Sequence, residues 1–163
     1  MKKRQAVLNY LDQHQEEIVR TLSQLIQIDS QNLGMPNTAH EGPAQEFVFK
    51  IMQDAGLSPM RLTFDPNQER PNVYGTLPGS GNGPSLLMNA HIDTVCVTEP
   101  DNWTFPPLGG WIRDGKVLGR GASDDKMAVT AMIYAVKALI DCGITLKGCL
   151  LYTSPSPRDG LLS

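Results

Sequence analysis

Apolar residues recur at helical spacing at Val7, Leu8, Leu11, Ile18, Val19, Leu22, Leu25 and Ile26, with Glu16, Glu17, Arg20 and Gln24 between them. About the first thirty residues are therefore predicted to form one long amphipathic helix. A polar stretch from Asp29-Ser30 to His40, carrying Gly34 and Pro36, follows as a loop, and His40 in it is expected to be solvated or capping. A second helix opens at Glu41-Gly42-Pro43, where proline suits the first turn. It buries Phe47, Val48, Ile51, Met52 and Ala55 and ends at Gly56. Two strands are predicted at 60–64 and 72–77, separated by Asp65-Pro66-Asn67. The glycine- and proline-rich connector 78–84 lacks the Lys-Ser/Thr ending of a phosphate loop and does not precede a helix, so it is a turn.

The run Leu86-Leu87-Met88-Asn89-Ala90-His91-Ile92-Asp93-Thr94-Val95 reads as a third strand, whose period of two puts His91 and Asp93 on one face. Beyond it, 98–110 is irregular and carries Trp103, Phe105, Pro106 and Pro107, suiting equally a cover over a site and a lid on the core. Trp111-Ile112-Arg113 and Lys116-Val117-Leu118 flank Asp114-Gly115, a strong hairpin signal. Gly119-Arg120-Gly121-Ala122-Ser123-Asp124-Asp125-Lys126 then runs into a predicted helix over 127–142. Its stripe is Val129, Met132, Ile133, Val136, Leu139 and Ile140, and Gly143 closes it. Strands interleaved with helices make an α/β fold, with its ligand crevice beyond the strand ends.

Composition narrows the partners. A chain of 163 residues, 40% hydrophobic and 19% charged, suits one globular domain, and a net charge of −3 leaves no basic footprint for nucleic acid or an anionic membrane. A small molecule is the expected partner. Met1-Lys2-Lys3-Arg4 is positive, but Asn9, Asp12, Gln13, Glu16 and Glu17 interrupt any signal-peptide core, and no membrane span is expected. Three cysteines, Cys96, Cys142 and Cys149, without a C-x-x-C, suggest reduced thiols and a cytoplasmic setting.

The chemistry concentrates at His91, Asp93 and Asp124. A neutral imidazole is a zinc ligand, and a carboxylate accepting its other N–H fixes tautomer and orientation. Strand-end polar residues that simply meet water fit the decapeptide equally well. Gly119-x-Gly121 resembles a dinucleotide loop, but Asp124 stands where a third glycine belongs and would repel a pyrophosphate. Asp93-Thr94-Val95 lacks the glycine of an aspartic-protease motif, and Ser123 lacks a Gly-x-Ser-x-Gly elbow. The remaining reading is a metal held by His91 nitrogen and Asp124 oxygen, a donor set for zinc, cobalt or manganese. Cys96 is read as a small hydrophobe rather than a ligand.

Asn89-Ala90-His91-Ile92-Asp93-Thr94-Val95, then Trp103 and Pro107, then the 119–126 motif and an alanine-rich helix, with Arg70-Pro71-Asn72-Val73 upstream, resemble one enzyme family. It is the amidohydrolase and exopeptidase family of acetylornithine deacetylase, succinyl-diaminopimelate desuccinylase, aminoacylase and carboxypeptidase G. The resemblance implies the N-terminal part of a three-layer α/β/α catalytic domain with a mixed sheet, and amide hydrolysis of N-acyl amino acids or small peptides. It further implies two zinc ions per complete site, with His91 binding one, Asp124 bridging both, Asp93 as the catalytic orienter, and a cis peptide between Asp124 and Asp125. The complete enzyme would be a homodimer. The family also needs a Glu-Glu pair, a further acidic ligand and a late histidine, and none follows Asp125. Two ligands do not hold a dinuclear centre, so these 163 residues alone are expected to be inactive. The alternative is a non-catalytic α/β binding module without the metal.

The domain is expected to span 1–148, with 149–163 a non-native tail. Residues from Cys149 to Asp159 resemble the translation of a transposon-end adapter used in sequencing libraries. That origin is preferred to a natural tail or a Ser-Pro modification site, and it implies a truncated gene.

Overall fold

A four-stranded mixed sheet organises the chain, in a computed structural model that describes residues 2–32, 41–63 and 71–154. His40, Arg70, the turn at Asp65-Pro66-Asn67 and 155–163 lie outside the described residues. The sheet comprises β1 (Ser58–Leu62), β2 (Asn72–Leu77), β3 (Leu86–Asn89) and β6 (Leu150–Ser154), in the order β1-β2-β6-β3. The β1–β2 and β2–β6 pairs are antiparallel and β3–β6 is parallel, so the expected mixed sheet is the one observed. A separate hairpin, β4 (Trp111–Arg113) and β5 (Lys116–Leu118), turns through Asp114 at φ 51° and Gly115 at φ 72°. Positive φ at both central residues is what a twist-compatible two-residue turn demands.

Among the described residues four α-helices accompany the sheet, α1 (Lys2–Gln13), α2 (Gln15–Gln27), α3 (Gly42–Asp54) and α4 (Lys126–Asp141), with α1 lying on α4 and α2. Two sequence expectations need correction. First, the single N-terminal helix is two, divided at His14. There the backbone N–H is shared between the Tyr10 and Leu11 carbonyls, the ring Nδ1 also meets the Tyr10 carbonyl at 2.7 Å, and the ring stacks on Tyr10. That competition for one carbonyl interrupts the ladder. Second, the third strand stops at Asn89 instead of reaching Val95, because beyond it the chain leaves β6 and joins Thr94 to Gln31 in an isolated parallel bridge. Beyond Gly148, β6 lies between β2 and β3 with Leu150 and Tyr152 buried.

The core joins Leu25 of α2, Val48 and Met52 of α3, Ile92 after β3, and Val129, Ile133 and Val136 of α4. Trp103 is not among them. Met52 is fully buried, and its Cε reaches to 2.7 Å from where a Cβ on Gly75 would stand, so the glycine of β2 provides the room that the methionine fills. Truncating Met52→Ala leaves a cavity and should cost about 2–5 kcal/mol. A urea titration would show this as a lower midpoint at unchanged slope, and an unmoved midpoint would exclude Met52 from the core.

Candidate metal centre

His91 and Asp93 follow the C-terminal end of β3 in irregular chain that two ties hold in place. The Ser30 hydroxyl donates to the Ile92 carbonyl at 2.8 Å, and the Thr94 N–H donates to the Ser30 carbonyl at 3.0 Å. The pair faces each other as expected, although no strand period places it there. His91 Nδ1 lies 3.1 Å from the Asp93 carboxylate and 3.0 Å from the Asp93 carbonyl oxygen. Asp93 is buried, and an acceptor that cannot swing away fixes the ring orientation.

Asp124 comes to the same place from the other motif. Its Oδ1 stands 2.9 Å from His91 Nε2, and the peptide bond between Asp124 and Asp125 is cis. The 119–125 loop approaches the His91 loop at Gly121, whose φ is +82° and whose added Cβ would fall 2.6 Å from Thr94 Cγ2. Glycine alone suits both that backbone and that closeness. The carboxylate of Asp124 is 86% exposed, open on the side away from His91.

Both ring nitrogens of His91 thus face acceptors, an arrangement that only the imidazolium satisfies with two N–H donors. Burial of the ring opposes the charge, but the neighbouring carboxylate and carbonyl of Asp93 and the Asp124 carboxylate outweigh it and hold the pKa above 6.5. A cation in place of the Nε2 proton would meet the same two atoms. Ligand atoms bound at zinc distances at a tetrahedral ion stand roughly 3.3 Å apart, close to the 2.9 Å between Nε2 and Oδ1. The donor chemistry and spacing fit one edge of a metal site. Among the described residues, no group of three or more His, Cys, Asp or Glu forms a complete one.

Other candidates fall into place around this edge. Cys96 is half-buried and directs its thiol to the Asn32 carbonyl at 3.5 Å. Trp103 lies in the 98–110 stretch, edge-on to Phe105 at 5.5 Å with the Arg120 guanidinium 5.0 Å from its ring centre. One residue carried no role in the sequence: Lys126, fully buried, whose ammonium donates to the carbonyls of Leu25 and Ile28 at 2.9 and 2.8 Å. Burial pushes its pKa down to about 8, against the pull of Asp29. Its place directly after Asp124-Asp125 was the available signal, but the partners are backbone atoms about a hundred residues away.

Residues 87–153 match Peptidase family M20/M25/M40. Over 150 residues the chain is 30% identical to N-formyl-4-amino-5-aminomethyl-2-methylpyrimidine deformylase of Halalkalibacterium halodurans, covering 91% of this chain and 34% of that protein. It is 33% identical over 124 residues to succinyl-diaminopimelate desuccinylase of Xanthobacter autotrophicus, covering 76% of this chain and 32% of the relative. The crystal structure of human carnosine dipeptidase 1 shares the fold, with a TM-score of 0.77 at 22% identity over 99% of this chain and 36% of that one. The chain is thus a relative of the M20/M25/M40 peptidases, as its motifs led us to expect, and spans about a third of the length of these curated relatives.

The tautomer argument is testable without metal. Because the folded-state pKa of His91 is raised above the unfolded value, its contribution to stability is fully present below pH 6.5 and is lost as pH rises through the folded pKa. In Asp93→Asn the charge that favours the imidazolium is gone, so the His91 pKa should fall and that pH dependence should shrink. Ring ¹⁵N shifts followed by NMR would report both the titration and the Nδ1–H tautomer; a titration identical to that of the unmodified chain would disprove the role given to Asp93.

Proposed function

We propose that this relative of the M20/M25/M40 peptidases contributes part of the metal centre of a hydrolase that cleaves the amide bond of N-acyl amino acids, other small N-acylated amines or short peptides. The observation that carries the reading is the meeting of His91 Nε2 and Asp124 Oδ1 at 2.9 Å, with buried Asp93 behind the ring. His91 offers nitrogen, Asp93 holds its tautomer, and Asp124 offers an oxygen at the start of α4 while its outer side stays open to a second ion. A divalent metal bound there, zinc or else cobalt or manganese, supplies Lewis acidity toward water and the amide carbonyl. Asp93 is a positioning residue, since it touches His91 and not the reacting atoms. The products are a carboxylate and an amine.

The relatives support the substrate class, because a deformylase, a desuccinylase and a dipeptidase differ in acyl group and share the amide bond that breaks. The general base and the remaining ligands are assigned to sequence outside these 163 residues. In keeping with that, 149–163 is read as adapter-derived, and a genomic sequence retaining Ser154-Pro155-Ser156-Pro157 would exclude that origin. Three free thiols support a reducing, cytoplasmic setting.

The test is hydrolysis of N-formyl, N-succinyl and dipeptide substrates by the protein encoded at the intact locus. Chelation should abolish turnover and added zinc restore it. His91→Ala and Asp124→Ala should each lower kcat/KM by at least about a hundredfold, and Asp93→Ala by about 10–100-fold. Turnover that survives both chelation and Asp124→Ala would rule out the metal role.

A further inference from the structure

Between the two donor loops runs a third piece of chain, residues 25–32, where α2 ends. On one side it is laced to the His91 loop. Ser30 Oγ donates to the Ile92 carbonyl at 2.8 Å, the Thr94 N–H to the Ser30 carbonyl at 3.0 Å, and the Asn32 N–H to the Thr94 carbonyl at 2.8 Å. On its other side it meets a single long side chain. The Lys126 ammonium, with no exposed surface, donates to the Ile28 carbonyl and to the Leu25 carbonyl, which also accepts the Ile28 N–H at 3.3 Å where α2 ends.

We propose that Lys126 is a positioning residue for the metal edge: it clamps the start of α4, and with it Asp124, onto the 25–32 segment that also braces His91 and Asp93, so that one short splint sets the spacing of both donors. A lysine fits this task because three donors on a flexible stem reach two carbonyls of an end-of-helix turn, and the partial negative charge there favours a cation. The Lys126 N–H, bonded to the Gly121 carbonyl at 3.1 Å, ties the same residue to the loop that presses on Thr94. Carbonyls of α2, the Gly121 turn and the first residue of α4 therefore share one anchor two positions from Asp124. The proposal rests on His91 and Asp124 being metal donors, and its test separates the two ideas.

The experiment compares the whole chain with Lys126→Met, which keeps length and apolar bulk but removes the ammonium from both carbonyls. Co²⁺ is titrated into each while the His91 ring signals are followed by NMR, and amide exchange is measured in metal-free samples. The clamp predicts Co²⁺ affinity lowered about tenfold or more in Lys126→Met. It also predicts that the Asn32 and Thr94 amides exchange at least about tenfold faster, while amides within α3 are unchanged. A folded Lys126→Met with unaltered Asn32 and Thr94 exchange overturns the clamp. Where the unsubstituted chain, which holds only two of the donors, does not bind Co²⁺ through His91, the exchange arm alone decides the clamp, and the metal reading is decided by the turnover test above. Should Lys126→Met not fold, Ser30→Ala loosens the splint from its opposite side. The Ala128 and Val129 amides at the start of α4 must then exchange faster if the splint couples the two loops, and unchanged rates there overturn it.

Discussion

A buried ammonium is the constraint on which the centre of this structure turns. Taking the Lys126 charge out of water costs several kcal/mol unless its protons find acceptors. The acceptors it finds are the Leu25 and Ile28 carbonyls where α2 ends, the first shared with the Ile28 N–H. Each group answers the need of the other. Replacing the lysine with an apolar residue would relieve the charge and take its donor from the Ile28 carbonyl. The position of α2 relative to the start of α4 is thus fixed by polar complementarity, and the apolar contacts of Leu25, Val129 and Ile133 fill in around it.

His91 and Asp124 inherit that geometry. His91 leaves the sheet where β3 ends, and Asp124 precedes α4, so neither residue is placed by a regular element of its own. Irregular chain holds a side chain reliably only when its backbone groups are paired, and here Ser30, Asn32 and Gly121 provide the pairing. The two aspartates differ accordingly. Asp93, buried behind the imidazole, is held, while Asp124 faces outward and is available to a ligand.

Much of this was legible in the sequence, and the reasons are physical. Asp114-Gly115 specifies its hairpin because both residues tolerate positive φ, and Gly56 and Gly143 stop their helices through the same freedom. The bounds of α3 and α4 follow from apolar periodicity, and the motifs around His91 and Asp124 pointed to the family that residues 87–153 match. What escaped depends on partners distant in sequence. The break at His14 comes from a ring competing locally with the ladder, which periodicity does not register. The short β3 reflects Thr94 pairing with Gln31 instead of β6. Lys126 escaped because an apolar-stripe reading gives a charged residue at a helix start to solvent by default.

The chain also carries an optical handle. Its two tryptophans sit in unlike surroundings: Trp103 lies edge-on to Phe105 beneath the Arg120 cation, and Trp111 stands out on the hairpin. Arg120 shares the 119–126 motif with Asp124, so the indole of Trp103 lies against a cation of that motif. A shift of Arg120 would change the field on that indole, which makes intrinsic fluorescence a label-free reporter already written into the chain.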